Sequence, residues 1–370
     1  MKEKILLLLG LVAIAMIAVV IVDLAASWGA PGLTVSYSWW LVGLVGYAIS
    51  MITLVTAYGI FGRRLSPTPV SLGGLRASML ATSAAVIGGW IIILAFLSAF
   101  LNPELISQLT FLSLVYAAIP SLFSWLLSPA LINLIYGCHP DPSIQEVVNR
   151  VAAKAGMKPP KAMIARMKEP NAFAYSSPIL GSYIAVTEGM LHISRVEELE
   201  AVIGHELGHH KHRDNVVVLV FGLLPSVIYF LGRYLMYAGM YSRYYYDGDR
   251  SRRSEGNFVF LLTGIALMAI SVLIQLGVLA LSRLREFYAD AHGAKVTTPD
   301  SMIGALHSLN SFYNRYKAAR AKVDSSKLKM LFIYALTDPY IGFEELLSTH
   351  PPIEKRIAFL SSLRGTSIKA

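Results

Sequence analysis

Charge is almost absent from six stretches of this chain and returns in short blocks between them. The stretches run 5–27, 39–61, 78–101, 109–136, 216–240 and 258–282. A helix of about 20 apolar residues, rising 1.5 Å per residue, crosses about 30 Å of hydrocarbon, and each stretch is long enough to do so. The pattern predicts a mainly α-helical protein with a polytopic membrane domain. Gly43, Gly46 and Gly59 in the second stretch, and Gly88 and Gly89 in the third, are small residues that let helices approach closely in lipid. Pro120 and Pro225 predict kinks or breaks in the fourth and fifth. The third and fourth stretches have the hydropathy either of two crossings or of a re-entrant pair.

The charges that flank the stretches predict an orientation. Lys2 and Lys4 precede the first, and Arg63, Arg64 and Arg76 lie between the second and third, whereas 28–38 carries no charge and 102–108 only Glu104. Lys and Arg accumulate on the cytoplasmic side, which places the N-terminus, the 62–77 loop and the chain after residue 137 there. The 241–257 loop, with Arg243, Arg250, Arg252 and Arg253, is then external, its charge diluted by Asp247, Asp249 and Glu255. The apolar N-terminal segment is longer than the core of a secretory signal and reads as a retained helix.

Four regions follow from this: N-terminal transmembrane helices over 1–137, a first cytoplasmic segment over 138–215, a transmembrane hairpin over 216–282 and a second cytoplasmic segment over 283–370. The first segment predicts a short helix over 141–156, a strand near Lys161–Ile164, and two strands, 171–177 and 182–187, with a turn from Ser177-Pro178 to Gly181. A short helix begins at Glu188. Ser194 with Glu197 three residues on fits a capping box, and Val196, Leu199, Val202 and Ile203 follow at helical spacing. In the second segment helices are expected over 284–294, 301–320 and 353–363, with an apolar stretch at 328–336.

Composition agrees with a membrane protein, since 55% of the residues are hydrophobic. The net charge of +9 would also suit nucleic acid, but its placement beside apolar stretches points to anionic lipid instead, so no nucleic-acid partner is expected. Cys138 is the only cysteine and excludes an intrachain disulfide.

The chemistry lies in His205-Glu206-Leu207-Gly208-His209. On a helix, positions i and i+4 share a face, so both imidazoles reach one ion, and Glu206 is placed to take a proton from the water that the ion activates. A catalytic zinc site needs a third protein ligand and leaves a fourth position for water. Glu286 is the candidate, with Asp290 one turn on to orient a ligating histidine; Glu188, Glu198 and Asp214 stand in reserve. Two predicted crossings separate the motifs, an even number, so both lie on one face of the membrane. His210 and His212 point away from the ion and, with Lys211 and Arg213, read as a basic patch, with Asp214 available to pair with one of them. His350, fixed before Pro351 and Pro352, suits a donor to a developing oxyanion, and Arg356 either supports the site or forms a surface ion pair.

His205–His209, Glu286–Asp290, Pro170-Asn171-Ala172-Phe173-Ala174 and Ser348-Thr349-His350-Pro351-Pro352 occur in the order found in HtpX-type membrane zinc peptidases, relatives of the CAAX prenyl endopeptidases. The chain resembles that family over about residues 140–360. The resemblance implies a cytoplasmic α+β zincin-like domain, one Zn²⁺ per chain on His205, His209 and Glu286, and Glu206 as the catalytic residue. It implies that Asn171 and Ala172 lie on the edge strand that holds substrate backbone, and that His350 and Arg356 stand near the catalytic water. It further implies a cell-membrane protein, active on the cytoplasmic side against unfolded or damaged membrane proteins. Two other readings are a processing protease for lipid-modified C-termini and a non-catalytic membrane scaffold. Simple family members resemble two spans before the motif, whereas four precede it here. Nothing in the sequence fixes an oligomeric state.

Overall fold

The computed structural model describes residues 71–241, 250–316 and 350–365, with isolated positions 45, 48, 49, 52, 53 and 69. The first expected span, most of the second and the 328–336 stretch lie outside the described residues. Nine helices are described: α1 (Leu72–Phe100), α2 (Pro103–Ile135), α3 (Pro142–Ala155), α4 (Glu188–Ile193), α5 (Val196–Lys211), α6 (Asp214–Tyr241), α7 (Arg250–Val296), α8 (Pro299–Arg315) and α9 (Ile353–Ser362). Four strands join them: β1 (His139–Pro140), β2 (Lys161–Ala165), β3 (Ala172–Ser177) and β4 (Gly181–Thr187). The chain divides into two compact units, one of residues 1–59, 86–124 and 220–275, the other of 60–85, 125–219 and 276–370.

The first unit is helical. Among the described residues, four helices are long and apolar enough to cross a membrane: α1, α2, α6 and α7. Within the unit, Ile87, Ile91, Phe96 and Phe111 are exposed, as lipid-facing side chains are. Of the kink or break expected at Pro120 and Pro225, the break does not occur: each proline lies inside a continuous helix. Proline removes one hydrogen bond, and in an apolar setting the rest of the helix keeps the remainder satisfied. α6 and α7 touch at Gly232 and Gly264, where an added Cβ on either would meet the other's carbonyl oxygen at 2.6–2.8 Å.

The second unit is α+β, with a four-stranded sheet in the order β1-β2-β4-β3. β2 runs parallel to β4, and β3 antiparallel to it, with Phe173 opposite Ala185 and Tyr175 opposite Tyr183. Ile144, Val148 and Val151 of α3, Ile184 and Val186 of β4, Val202, Ile203 and Leu207 of α5, and Leu306 and Leu309 of α8 form one apolar core. α3 begins at Asp141, whose carboxylate accepts the Ile144 N–H, and ends at Gly156 with φ +65°.

Two boundaries differ from the sequence reading. α5 is capped one residue later than expected: the Glu198 carboxylate accepts the Arg195 N–H at 3.1 Å, and Ser194 ends α4 instead. The sixth stretch and the expected 284–294 helix are one 47-residue helix, α7. Arg283 and Arg285, which look like the charged end of a span, are buried.

Candidate metal centre

α5 packs against β3, β4, α3 and α8, and its buried face carries His205, Glu206 and Leu207. It also crosses the C-terminal part of α7 on a seam of small residues. A Cβ on Gly204 would lie 3.1 Å from Gly293 Cα, and one on Gly208 3.1 Å from Ala289 Cα. This close approach brings Glu286 over the two imidazoles. Gly204 and Gly208, and Ala289 and Gly293, are each four residues apart, a small-residue repeat that marks this crossing in the sequence itself.

His205 Nε2 lies 3.2 Å from His209 Nε2 and 3.6 Å from Glu286 Oε2, and His209 Nε2 lies 3.4 Å from Glu286 Oε1. Bonds of about 2.0–2.1 Å at tetrahedral angles put neighbouring ligand atoms about 3.3 Å apart, so the trio has zinc dimensions. The opposite ring nitrogens face carboxylates: His209 Nδ1 is 2.6 Å from Asp214 Oδ2, and His205 Nδ1 is 2.9 Å from Asp290 Oδ1. The hydrogen bond to Asp214 favours the His209 ring proton on Nδ1 and leaves a lone pair on Nε2, and the charge of Asp290 acts on His205 in the same direction as an ion pair outside hydrogen-bonding geometry. Glu286 Oε2 is buried without a hydrogen bond. Three Lewis bases therefore converge on one point, where a cation would satisfy them. The donor set, two nitrogens and one carboxylate, is a catalytic zinc set with a position left for water. The cluster suits a single Zn²⁺.

Electrostatics agree. Burial alone would depress the His205 pKa, but Asp290 and Glu286 outweigh it and hold the imidazole above its usual range. Glu206, the next residue on α5, is 2% exposed.

The structure places the other expected residues as follows. Asp290 is fully buried and held by Arg356, whose Nε and terminal nitrogen donate at 2.8 and 2.5 Å. Arg356 is therefore a buried partner of Asp290 and not a surface ion pair. His350 Nδ1 comes within 2.8 Å of Glu286 Oε2, though not in hydrogen-bonding geometry. Asn171 and Ala172 are buried where the chain enters β3, which is the terminal strand of the described sheet. Of the reserve ligands, Glu188 is exposed, Glu198 binds Arg195 and Ser308, and Asp214 contacts the far nitrogen of His209. Asp214 thus pairs with a ligand rather than with His210 or His212. The His210 ring lies 2.8 Å from Tyr183 O, and burial brings His212 down to about 4, so neither supplies the charge of a basic patch.

A buried glutamate next to a two-histidine, one-carboxylate zinc site is the equipment for hydrolysing peptide bonds, so the chain is a zinc metalloendopeptidase carried on multiple membrane helices. It belongs to peptidase family M48, whose profile matches residues 139–364. Within that family it is similar to a "Protease HtpX homolog" of Archaeoglobus fulgidus, at 38% identity over 88% of this chain and 96% of that one. Another of the same description from Pyrobaculum islandicum is 34% identical over 96% of each chain. One from Pyrobaculum calidifontis is 41% identical over 68% of this chain and 76% of its own length. Among solved structures, Ste24p of S. mikatae is a distant likeness, at TM-score 0.47 and 18% identity over 91% of this chain and 78% of that one.

Proposed function

We propose that this endopeptidase removes unfolded or damaged membrane proteins, cutting them on the cytoplasmic face of the cell membrane. The observation that carries the reading is an edge strand beside a hydrolytic site: α5, with its metal ligands, packs against β3. An extended substrate segment adds to β3 from Asn171 and Ala172 onward by backbone pairing, which asks for unfolded chain and not for a particular sequence.

Bound zinc supplies an acidified water and a polarised carbonyl. His205, His209 and Glu286 hold the ion; Asp290, clamped by Arg356, fixes the orientation of His205. Glu206 accepts a proton from the attacking water and returns it to the leaving amine. His350 donates to the oxygen on which negative charge develops. Flanking Lys and Arg support the cytoplasmic orientation, and outward-facing apolar side chains on the long helices support contact with lipid.

The test is digestion by the purified chain in liposomes. A destabilised membrane protein should be cut at several apolar-flanked sites, its folded form spared, and a prenylated C-terminal peptide left intact. Single-site cleavage of the prenylated peptide, with the unfolded protein untouched, would replace quality control with C-terminal processing.

A further inference from the structure

Two buried carboxylates stand behind the metal site, and the catalytic steps above use only Asp290. The other is Asp214, the first residue of α6. In an unbroken helix a residue five positions past His209 would lie about 140° around the axis, too far to reach its ring. α5 instead ends at Lys211, and Arg213 takes the left-handed conformation, φ +52°, the one non-glycine residue to do so among those described. This reversal returns Asp214 to His209, where Oδ2 lies 2.6 Å from Nδ1. The other carboxylate oxygen accepts from Arg285 of α7, which also donates to His212 O at 2.8 Å. Arg285 lies one residue before the third ligand. One guanidinium therefore ties the end of α5, the start of α6 and the Glu286 turn together.

The arrangement repeats the Arg356–Asp290–His205 chain on the second imidazole. Arg285, Asp214 and His209 stand in the same order, the carboxylate meeting Nδ1 in both. The two chains differ in exposure. Asp290 and Arg356 are closed off, whereas the Asp214 side chain is 11% exposed, beside a cavity of about 360 Å³ also lined by Arg76, His212 and Tyr288.

We propose that Asp214 is the positioning residue for His209, and that Arg285 holds Asp214 in place. The carboxylate fixes the ring so that Nε2 faces the ion, and its charge makes that nitrogen a stronger donor. A backbone in the left-handed region at Arg213, where an L-residue is disfavoured, is the conformational cost of this contact. Because water screens the more open pair, its loss should weaken metal binding less than loss of Asp290 does. This inference rests on the zinc site described above.

The experiment is zinc titration of the detergent-purified apo chain against a competing chelator, with the visible spectrum of the cobalt(II) form recorded in parallel. Asp214→Asn keeps volume and an acceptor oxygen and removes the charge. It should raise the zinc Kd about tenfold, the lower end of effects at such positions, and alter the cobalt bands, with kcat reduced and KM little changed. Arg285→Lys keeps the charge and moves it from the position where one terminal nitrogen donates to both Asp214 and the His212 carbonyl; it should raise Kd by a smaller factor, and add nothing in an Asp214→Asn background. Wild-type zinc affinity and cobalt spectrum in both single variants would overturn the proposal and leave Asp214 a helix-joining contact. So would losses that add in full in the double variant. If Asp214→Asn does not fold, Arg285→Lys carries the same test. Failure of the wild-type chain to bind zinc would instead overturn the metal site itself, which keeps the two failures apart.

Discussion

Gly204 and Gly293 face each other where α5 crosses α7, so closely that a Cβ on Gly293 would sit 2.7 Å from the Ala201 carbonyl oxygen and 3.1 Å from the His205 nitrogen. The separation of the two helices is set at this point, and with it the distance from Glu286 to the imidazoles. Gly293→Ala should therefore loosen the metal site without changing any ligand. Forcing a methyl into a packed contact costs about 1–3 kcal/mol. Zinc affinity and melting temperature should both fall. A variant with unchanged zinc affinity would show that the crossing does not set the ligand geometry.

Glu286 and Asp290, one turn apart, should fail differently. Glu286→Ala leaves two imidazoles, so zinc binds weakly and proteolysis vanishes. Asp290→Asn leaves all three ligands, so saturating zinc still fills the site, with affinity or turnover down about 10–100-fold. It should also lower the melting temperature, because Arg356 is 1% exposed and would lose its counter-charge. Zinc titration with parallel melting curves separates the two. Equal zinc affinity in Glu286→Ala and wild type would move the third ligand elsewhere.

The raised His205 pKa has a pH signature. A histidine whose folded pKa exceeds its unfolded value, about 6.5, stabilises the fold fully below 6.5 and loses that contribution as pH rises through the folded value. The apo chain should thus lose stability on going from pH 6 upward through that range, while zinc affinity rises over the same interval as the proton leaves. Melting temperatures of apo and zinc-loaded protein against pH check this. An apo melting curve that climbs through the interval would contradict the Asp290–His205 pairing.

Cys138 should react slowly. Burial pushes its thiol up to about 11, roughly two units above the ordinary value, which leaves about a hundredfold less thiolate near pH 8. Alkylation should be about a hundredfold slower than for a cysteine placed at exposed Asp300. Matched rates would mean that Cys138 is open to solvent.

The sequence made the ligands legible because the helix period puts His205 and His209 on one face, and because an even number of crossings returns Glu286 to the same side. It also disclosed β3 and β4, whose turn residues mark the hairpin. It did not disclose Asp214 as the partner of His209, because a left-handed residue at Arg213 breaks the period on which such readings depend. Nor did it disclose that α7 continues past residue 282: Arg283 and Arg285 carry the charge of a helix end, yet tertiary contacts bury them. The cap of α5 fell on Arg195 because Glu198, not Glu197, is placed to accept its N–H.

The central claim is that Glu206 moves protons and does not hold metal. Glu206→Gln, purified in detergent and analysed for zinc and for digestion of an unfolded protein, tests it most directly. About one zinc per chain is expected, as in wild type, with cleavage reduced by about 10²–10⁴-fold, the usual contribution of a general base. Cleavage near the wild-type rate, or loss of zinc from a folded chain, would contradict it.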